Sequence, residues 1–456
     1  GDYKKAEPLY KRALEILEKV LGPEHPDVAY SLNILGFLYL TIGEYQKAEP
    51  LFKRSLGIKE KVLGPEHPDV ATSLNNLSLL YLTIGEYQKA EPLYRRVFEI
   101  YEKVLGPEHP DVAQSLYNLS LLYTSTHRPE EAIKCLLRSI NIENTQIKNI
   151  LGMVDEATAL NFISDKNKSI HLLINLTYNY FPEDTDAIKQ AFNMWFLRKG
   201  VLLDAHTRFH DVIFSDETEE VKKLLERLKY IIKTLTRLYY PKKDDDYEKT
   251  KRQIEYLEEE KNAIRLELIN KSKAFSALET MWDADIDDIL KLIPPESSLI
   301  DFALIPQYDF DTNKWKDEHY YVFIISHDSV ELLDLGDAST INNLIDQLRQ
   351  NIFPVGERGT EVIEIPIHSI ARVEEDGFRQ HSHALYRAIF APYRDKIKDN
   401  ILLSPDGYLN LIPFEVLVDE EGAYLIDREY LFNYIATPRE LFLLQLKEGE
   451  AKESLL

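Results

Sequence analysis

Cysteine is nearly missing from this sequence: Cys135 is the one thiol in 456 residues. An internal disulfide and a thiolate metal cluster are therefore excluded. Long apolar runs are missing too, and no stretch reaches the roughly 18 uninterrupted apolar residues of a membrane span. Basic residues are in deficit, with 54 Lys and Arg against 77 Asp and Glu, a net charge of −23. Broad nucleic-acid binding by the chain alone is not expected, because phosphate neutralisation needs cations in excess; a local basic patch is left open. No signal peptide is read, since Gly1-Asp2-Tyr3-Lys4-Lys5 leads straight into an amphipathic helix, and cytoplasmic residence is the default expectation. An apolar fraction of 44% is enough to bury a core, and the length suggests about three domains.

Internal repetition dominates the first third. Gly43-Glu44-Tyr45-Gln46-Lys47-Ala48-Glu49-Pro50 recurs intact from Gly85 to Pro92, and Gly1 to Pro8 is the same unit. Leu-Gly-Pro-Glu-His-Pro-Asp-Val-Ala begins at Leu21, Leu63 and Leu105, a constant period of 42 residues. A decayed fourth copy runs from about Asp111 to Asn144. Each unit reads as two helices. In the first, Val70, Leu74, Leu77, Leu80 and Tyr81 form a helical stripe over Asp69 to Leu82. Gly85 suits a left-handed cap. The second runs from Tyr87 to Val104 and stops at Gly106-Pro107.

These units resemble the tetratricopeptide repeat, in the longer form found in kinesin light chain and many bacterial proteins. Gly36 and Ser78 stand where the first helix must approach the second, and Ala6, Ala48, Ala90 and Ala132 where the second packs closely on the first. The extra residues beyond the usual repeat of roughly 34 lengthen the second helix and its exit loop. The resemblance implies an α-solenoid, its first repeat incomplete, with a concave face lined by first helices. Asn33, Phe37, Asn75, Asn76, Leu79, Tyr117, Asn118 and Leu121 are the inward positions. Asparagine can bond a peptide main chain with both donor and acceptor, so a protein or peptide partner in this groove is one reading. The other is that these side chains bridge neighbouring repeats. The Lys and Arg set that clamps a C-terminal carboxylate is missing from the matching positions.

Several residues invite a catalytic or metal-binding reading. Cys135 aligns with Leu9, Leu51 and Leu93, so it is expected to act as a small apolar residue on a buried helix face. His25, His67 and His109 recur once per repeat and cannot easily converge on a metal; they belong to loop structure. His206 and His210 have helical ligand spacing, but no Glu lies between them in the metalloprotease pattern, and a surface face is expected. His381-Ser382-His383 lacks a glycine-framed serine and is expected to be the exposed start of a helix. No metal and no cofactor is implied.

Residues 145–293 read as a helical connector without repeats. A strongly apolar helix is predicted over Ala191 to Leu203, a second over Val221 to Tyr240, and a third over Glu248 to Lys273. The last two are expected to form an antiparallel pair joined near Pro241, acting either as a spacer or as a lever. Composition changes at Pro294-Pro295. Strands are predicted at Ser298 to Leu304, Tyr320 to Ile325 and Val330 to Leu335, and helices at about Ser339 to Asn351 and Arg379 to Ala391. Two apolar runs then flank Pro405-Asp406-Gly407, a hairpin signal. Residues 294–456 are thus expected to be an α/β domain.

Pro405-Asp406-Gly407-x-Leu409-x-x-x-Pro413-Phe414-Glu415-x-Leu417 resembles the start of a CHAT domain, a caspase-like module often joined to tetratricopeptide repeats in bacteria. The helix ending Arg198-Lys199-Gly200-Val201-Leu202-Leu203, the acidic Asp334 to Ala338 turn and a Tyr424-Leu425-Ile426 strand agree with that family; the likeness covers about residues 190 to 440. Active members use a Cys-His dyad, its His in a His-Gly motif and its Cys in an Ala-Cys-Glu motif. Neither occurs in this sequence. The resemblance implies that residues 294–456 are the non-catalytic N-terminal half of the caspase-like domain.

The fold class expected is an α-solenoid of tetratricopeptide repeats at residues 1–144, a helical connector at 145–293, and a partial caspase-like α/β domain at 294–456. The function expected is the partner-binding and regulatory portion of a bacterial caspase-like cysteine peptidase. By resemblance it serves stress or antiviral defence, as part of an RNA-guided complex in some relatives. The alternative is a scaffold that binds a protein partner and never carried a working dyad.

Overall fold

The structure, a computed structural model, describes residues 3–150, 156–199, 218–239, 247–352 and 375–442. It divides into two compact units, one of residues 1–169 with 209–273 and one of residues 170–208 with 274–456.

In the first unit each repeat starts from a histidine. His25, His67 and His109 are the N-caps of α2 (Pro26–Thr41), α4 (Pro68–Thr83) and α6 (Pro110–Ser125). Each Nδ1 accepts the main-chain N–H two residues on, at 3.1 Å. Proline follows at the first helical position, where a missing N–H costs nothing. The second helices are α1 (Tyr3–Leu21), α3 (Tyr45–Leu63), α5 (Tyr87–Leu105) and α7 (Pro129–Ile150). Gly43 and Gly85 make the turns at φ +82° and +79°; His127 takes the same place in the next copy at φ +54°. At Gly36 an added Cβ would lie 2.7 Å from Phe52 Cε1, so the expected close approach of the two helices is present. Ser78 and Ser120, the equivalent residues, are fully buried.

The core repeats with the sequence. Val28, Ala29, Leu32 and Ile58 pack with Leu51; Val70, Ala71, Leu74 and Val97 with Leu93; Val112, Ala113, Leu116 and Ile142 with Cys135. Each set buries the face that a single repeat could not cover alone. Helices Glu219–Leu238 and Tyr247–Lys271 form the antiparallel pair expected from their apolar spacing. Arg227 grips Glu260 at 2.7 and 2.9 Å, and Lys271 reaches Glu220 at 2.5 Å.

The second unit is built on a mixed sheet ordered β3-β2-β1-β4-β5. Its strands are β1 (Ser297–Asp309), β2 (Lys314–Ser326), β3 (Ser329–Asp337), β4 (Asn400–Ser404) and β5 (Leu431–Tyr434). β1–β2 and β2–β3 are antiparallel, whereas β4 is parallel to both β1 and β5. Strand alternation sends Ile300, Phe302, Tyr320, Val322 and Ile324 into one core, with Ile341, Ile345, Leu385 and Ile389 from helices Ala338–Ile352 and Glu375–Ile389. The intervening residues meet α9 (Thr185–Arg198) and the later part of α8 (Glu156–Tyr180) on the other face. There Phe323 packs edge-on to Phe192 at 5.3 Å, and Asn175 Oδ1 accepts from Tyr308 N and the Tyr321 hydroxyl.

Three sequence expectations fail here. Pro405-Asp406-Gly407 is not a hairpin, because β4 finds parallel partners on both sides and the chain leaves it in a 3₁₀ turn, Gly407–Leu411. Tyr424-Leu425-Ile426 is not a strand; it makes one bridge, Val418 to Tyr424, and enters a 3₁₀ turn at Leu425–Asp427. His381-Ser382-His383 is not an exposed helix start. It lies inside Glu375–Ile389, with Ser382 fully buried and its hydroxyl donating to Val416 O at 2.6 Å. His206 and His210, and the residues after Lys199 in the predicted apolar helix, lie outside the described residues. Among the described residues, no helix is long and apolar enough to cross a membrane.

Candidate functional site

The eight residues named from the sequence lie on α2, α4 and α6, and their hydrogen bonds differ between the two asparagine pairs. Asn118 Nδ2 donates to Asn75 Oδ1 at 2.8 Å, and Gln114 Nε2 donates to Asn118 Oδ1 at 3.1 Å. Asn75 and Asn118 thus bridge neighbouring repeats. One period earlier the equivalent pair is Asn33 and Asn76, and no bond between them is present. Asn33 Nδ2 turns instead to Ser73 Oγ at 2.9 Å, and Asn33 Oδ1 is buried without a partner. Thr72 replaces Gln114 and is too short to hold Asn76; its hydroxyl lies 3.4 Å from Pro68 O.

Around this unmade pair is a cavity of about 550 Å³, lined by aromatic residues from α1 and α2 (Tyr3, Tyr10, Tyr30, Phe37) and by Thr72 and Asn76 of α4. Tyr30 is 63% and Phe37 50% exposed. Lys59 also lines it, but its Nζ donates to Asp69 O at 3.0 Å. Leu79, Tyr117 and Leu121 are half-buried on the same helices.

Cys135 sits in the leucine slot, as its alignment predicts. It is partly buried against the Val112, Ala113, Leu116 and Ile142 cluster, and burial pushes its thiol up to about 11. A thiol that holds its proton so firmly is a poor nucleophile at neutral pH. Among the described residues, no group of three or more His, Cys, Asp or Glu could hold a metal ion.

In the second unit, Asp406 ties the 3₁₀ turn to the sheet. Its Oδ2 accepts from Leu304 N at 2.8 Å and its Oδ1 from Gly407 N at 2.8 Å. Gly407 has φ +55°, and a Cβ there would sit 2.7 Å from Leu304 Cδ2. Tyr320 Oη accepts from Tyr408 N at 3.0 Å, while Leu409, Phe414 and Leu417 are fully buried in the core. The spaced motif read from the sequence is therefore a structural fastening onto β1 at Leu304 and β2 at Tyr320.

Comparison with known families agrees with this geometry. The tetratricopeptide repeat matches residues 1–61, 43–103 and 69–143, and the CHAT domain matches residues 379–456. The chain carries tetratricopeptide repeats and a CHAT domain. Similar solved structures include BtubC (BKLC) from P. vanneervenii, at 24% identity and TM-score 0.34 over 43% of this chain and 74% of that one. A Podosopora anserina putative kinesin light chain, with nearly identical TPR-like repeats, is 25% identical at TM-score 0.34 over 43% of this chain and 88% of that one. A point-substituted form of that fungal protein is 24% identical at TM-score 0.35, covering 43% and 87%. No curated protein matches. The chain thus joins a helical repeat solenoid to a mixed-sheet unit that contains the CHAT match. The sequence held one signal of the difference between the two asparagine pairs, Thr72 standing where the next repeat has Gln114.

Proposed function

We propose that this TPR-CHAT chain is the partner-binding and regulatory portion of a caspase-like cysteine peptidase. Its repeats take a protein or peptide partner on the face lined by α2, α4 and α6. The observation that carries the reading is the cavity to which Asn33 and Phe37 of α2 and Thr72 and Asn76 of α4 contribute, in a unit whose one thiol fills a leucine position. Tetratricopeptide repeats act mainly as protein-interaction modules, presenting extended concave surfaces to their ligands. Occupancy of the groove would regulate the peptidase class to which the CHAT domain belongs.

A random-peptide display library panned against the whole chain tests this. Enriched peptides should bind the wild type and lose binding on Leu79→Glu or Leu121→Glu, which place a carboxylate in the groove without touching the core clusters. Failure to enrich any peptide, or enrichment indifferent to both variants, removes the groove from the reading. The chain alone should not cleave fluorogenic peptides in a thiol-dependent way; cleavage abolished by alkylating Cys135 would overturn the non-catalytic assignment.

A further inference from the structure

Where helix Glu219–Leu238 meets the last repeat, its Ile232 and Leu235, with Tyr239 just beyond, line a small cavity together with Pro110 of α6 and Phe162 of α8. Those walls are largely apolar, yet Gln146 and Asn149 of α7 line the cavity too. The two amides stand three positions apart, on one face of their helix. Gln146 is 7% exposed, and both its Nε2 and its Oε1 are buried without a protein partner. A buried amide that bonds nothing loses its hydration and gains nothing in exchange. An unpaired glutamine is therefore a poor way to fill this place, and a bonded one needs a ligand.

The size and chemistry of the cavity select that ligand. Its volume is about 20 Å³, above the roughly 10–15 Å³ that a single water needs and too small for a larger molecule. None of the described residues lining it carries a charge, so an ion would enter without a counter-charge. A buried water takes two to four polar partners. Gln146 and Asn149 each offer donors and an acceptor. Thr236, on the opposite wall, donates its hydroxyl to Ile232 O at 2.9 Å, and its oxygen can still accept. Thr236 is also exposed, which gives the cavity a path to solvent.

We propose that this cavity is a hydration site: one ordered water bonds the Gln146 amide and is shared with Asn149 and Thr236, so that α7 holds helix Glu219–Leu238 partly through water. Tyr239 lines the cavity, and the same ring lies edge-on to His109 at 5.5 Å. The water thus belongs to the seat that fixes the end of this helix on the last repeat.

A crystal structure of the whole chain, at a resolution that orders single waters, reads the site directly. One water is expected at about 2.7–3.2 Å from a Gln146 amide atom and within the same reach of Asn149 or Thr236. It should be lost from crystals of Gln146→Leu. A dry cavity, or a Gln146 amide bonded to a protein group, would overturn the proposal. Thermal melts give an independent reading in solution. Gln146→Leu and Gln146→Met discard bonds that the water satisfies, so neither should melt above wild type. A rise of about 2 °C or more in both would mean that the amide is unpaired in the folded protein, and would sink the hydration site equally.

Discussion

Asn118 donates to Asn75 across 2.8 Å, whereas Asn76 makes no such bond to Asn33, although the two pairs occupy the same positions one repeat apart. One shared geometry has therefore been used once for holding repeats together and once left open. Stability should report the difference. Asn118→Ala removes a half-buried side-chain bond and orphans Asn75 Oδ1, so it should cost about 1 kcal/mol. Asn76→Ala should cost less than about 0.5 kcal/mol, as a partly exposed substitution that breaks no protein bond. Urea unfolding followed by circular dichroism measures both, and equal losses would deny the distinction.

Two glycines in neighbouring helices predict opposite signs. Gly36→Ala puts a Cβ 2.7 Å from Phe52 Cε1, where the ring is fully buried and cannot retreat, and should destabilise by about 1–3 kcal/mol. Gly57→Ala, on the exposed side of helix α3 with nothing within 4 Å of the new Cβ, should stabilise by roughly 0.5–1 kcal/mol through helix propensity. Pairing Gly36→Ala with Phe52→Leu should recover part of the loss. A thermal melt of the three variants decides whether contact or propensity sets the sign.

The repeats were legible because their period is written in identical residues, and each helix is specified locally by its cap, stripe and stop. Asp69 to Leu82 was read within a residue of Pro68–Thr83, and Cys135 was placed by alignment alone. The second unit was less legible because its decisive contacts are distant in sequence. Asp406 looks like a turn residue between two strands; that its carboxylate holds Leu304 N, 102 positions away, is visible only in the fold. Parallel pairing of β4 likewise depends on β1 and β5. On α2, α4 and α6 the asparagines were readable but their hydrogen-bond partners were not. Whether an asparagine is spent on its neighbour depends on whether position 72 or 114 carries a side chain long enough to hold it.

Lys199 and Asp301 form a buried pair at 2.6 Å with side chains 7% and 0% exposed. Lys199 Nζ also donates to Phe302 O at 2.8 Å and Ser404 O at 3.0 Å, and Trp195 Nε1 donates to Asp301 Oδ2 at 2.9 Å. The ammonium thus fastens β1 and β4 to the end of α9. Lys199→Met should cost about 3–5 kcal/mol, because it strands a carboxylate in the core. Lys199→Met with Asp301→Leu should recover much of that, since no unpaired charge then remains. Comparing the melting temperatures of the single and double variants tests the assignment; a double variant no better than the single would point to the main-chain bonds of Lys199 instead.

His109 is 2% exposed, while its counterpart His25 has a side chain 38% exposed. The cover is Tyr239, edge-on at 5.5 Å, whose hydroxyl bonds Glu258 at 3.0 Å; Asp111 lies 3.7 Å from the imidazole. Burial lowers the His109 pKa to about 4, against an opposing bond to the Tyr239 main chain. A histidine held below its unfolded value is neutral in the folded protein while the unfolded chain takes up a proton. Its contribution is complete above the unfolded pKa near 6.5 and is lost as pH falls toward 4, amounting to at most about 3 kcal/mol. The melting temperature should therefore fall between pH 7 and pH 4.5, and His109→Asn, which keeps a capping acceptor but cannot charge, should flatten that slope. An imidazole titration by NMR gives the direct reading: a His109 midpoint near 6.5 would mean that Tyr239 does not cover it.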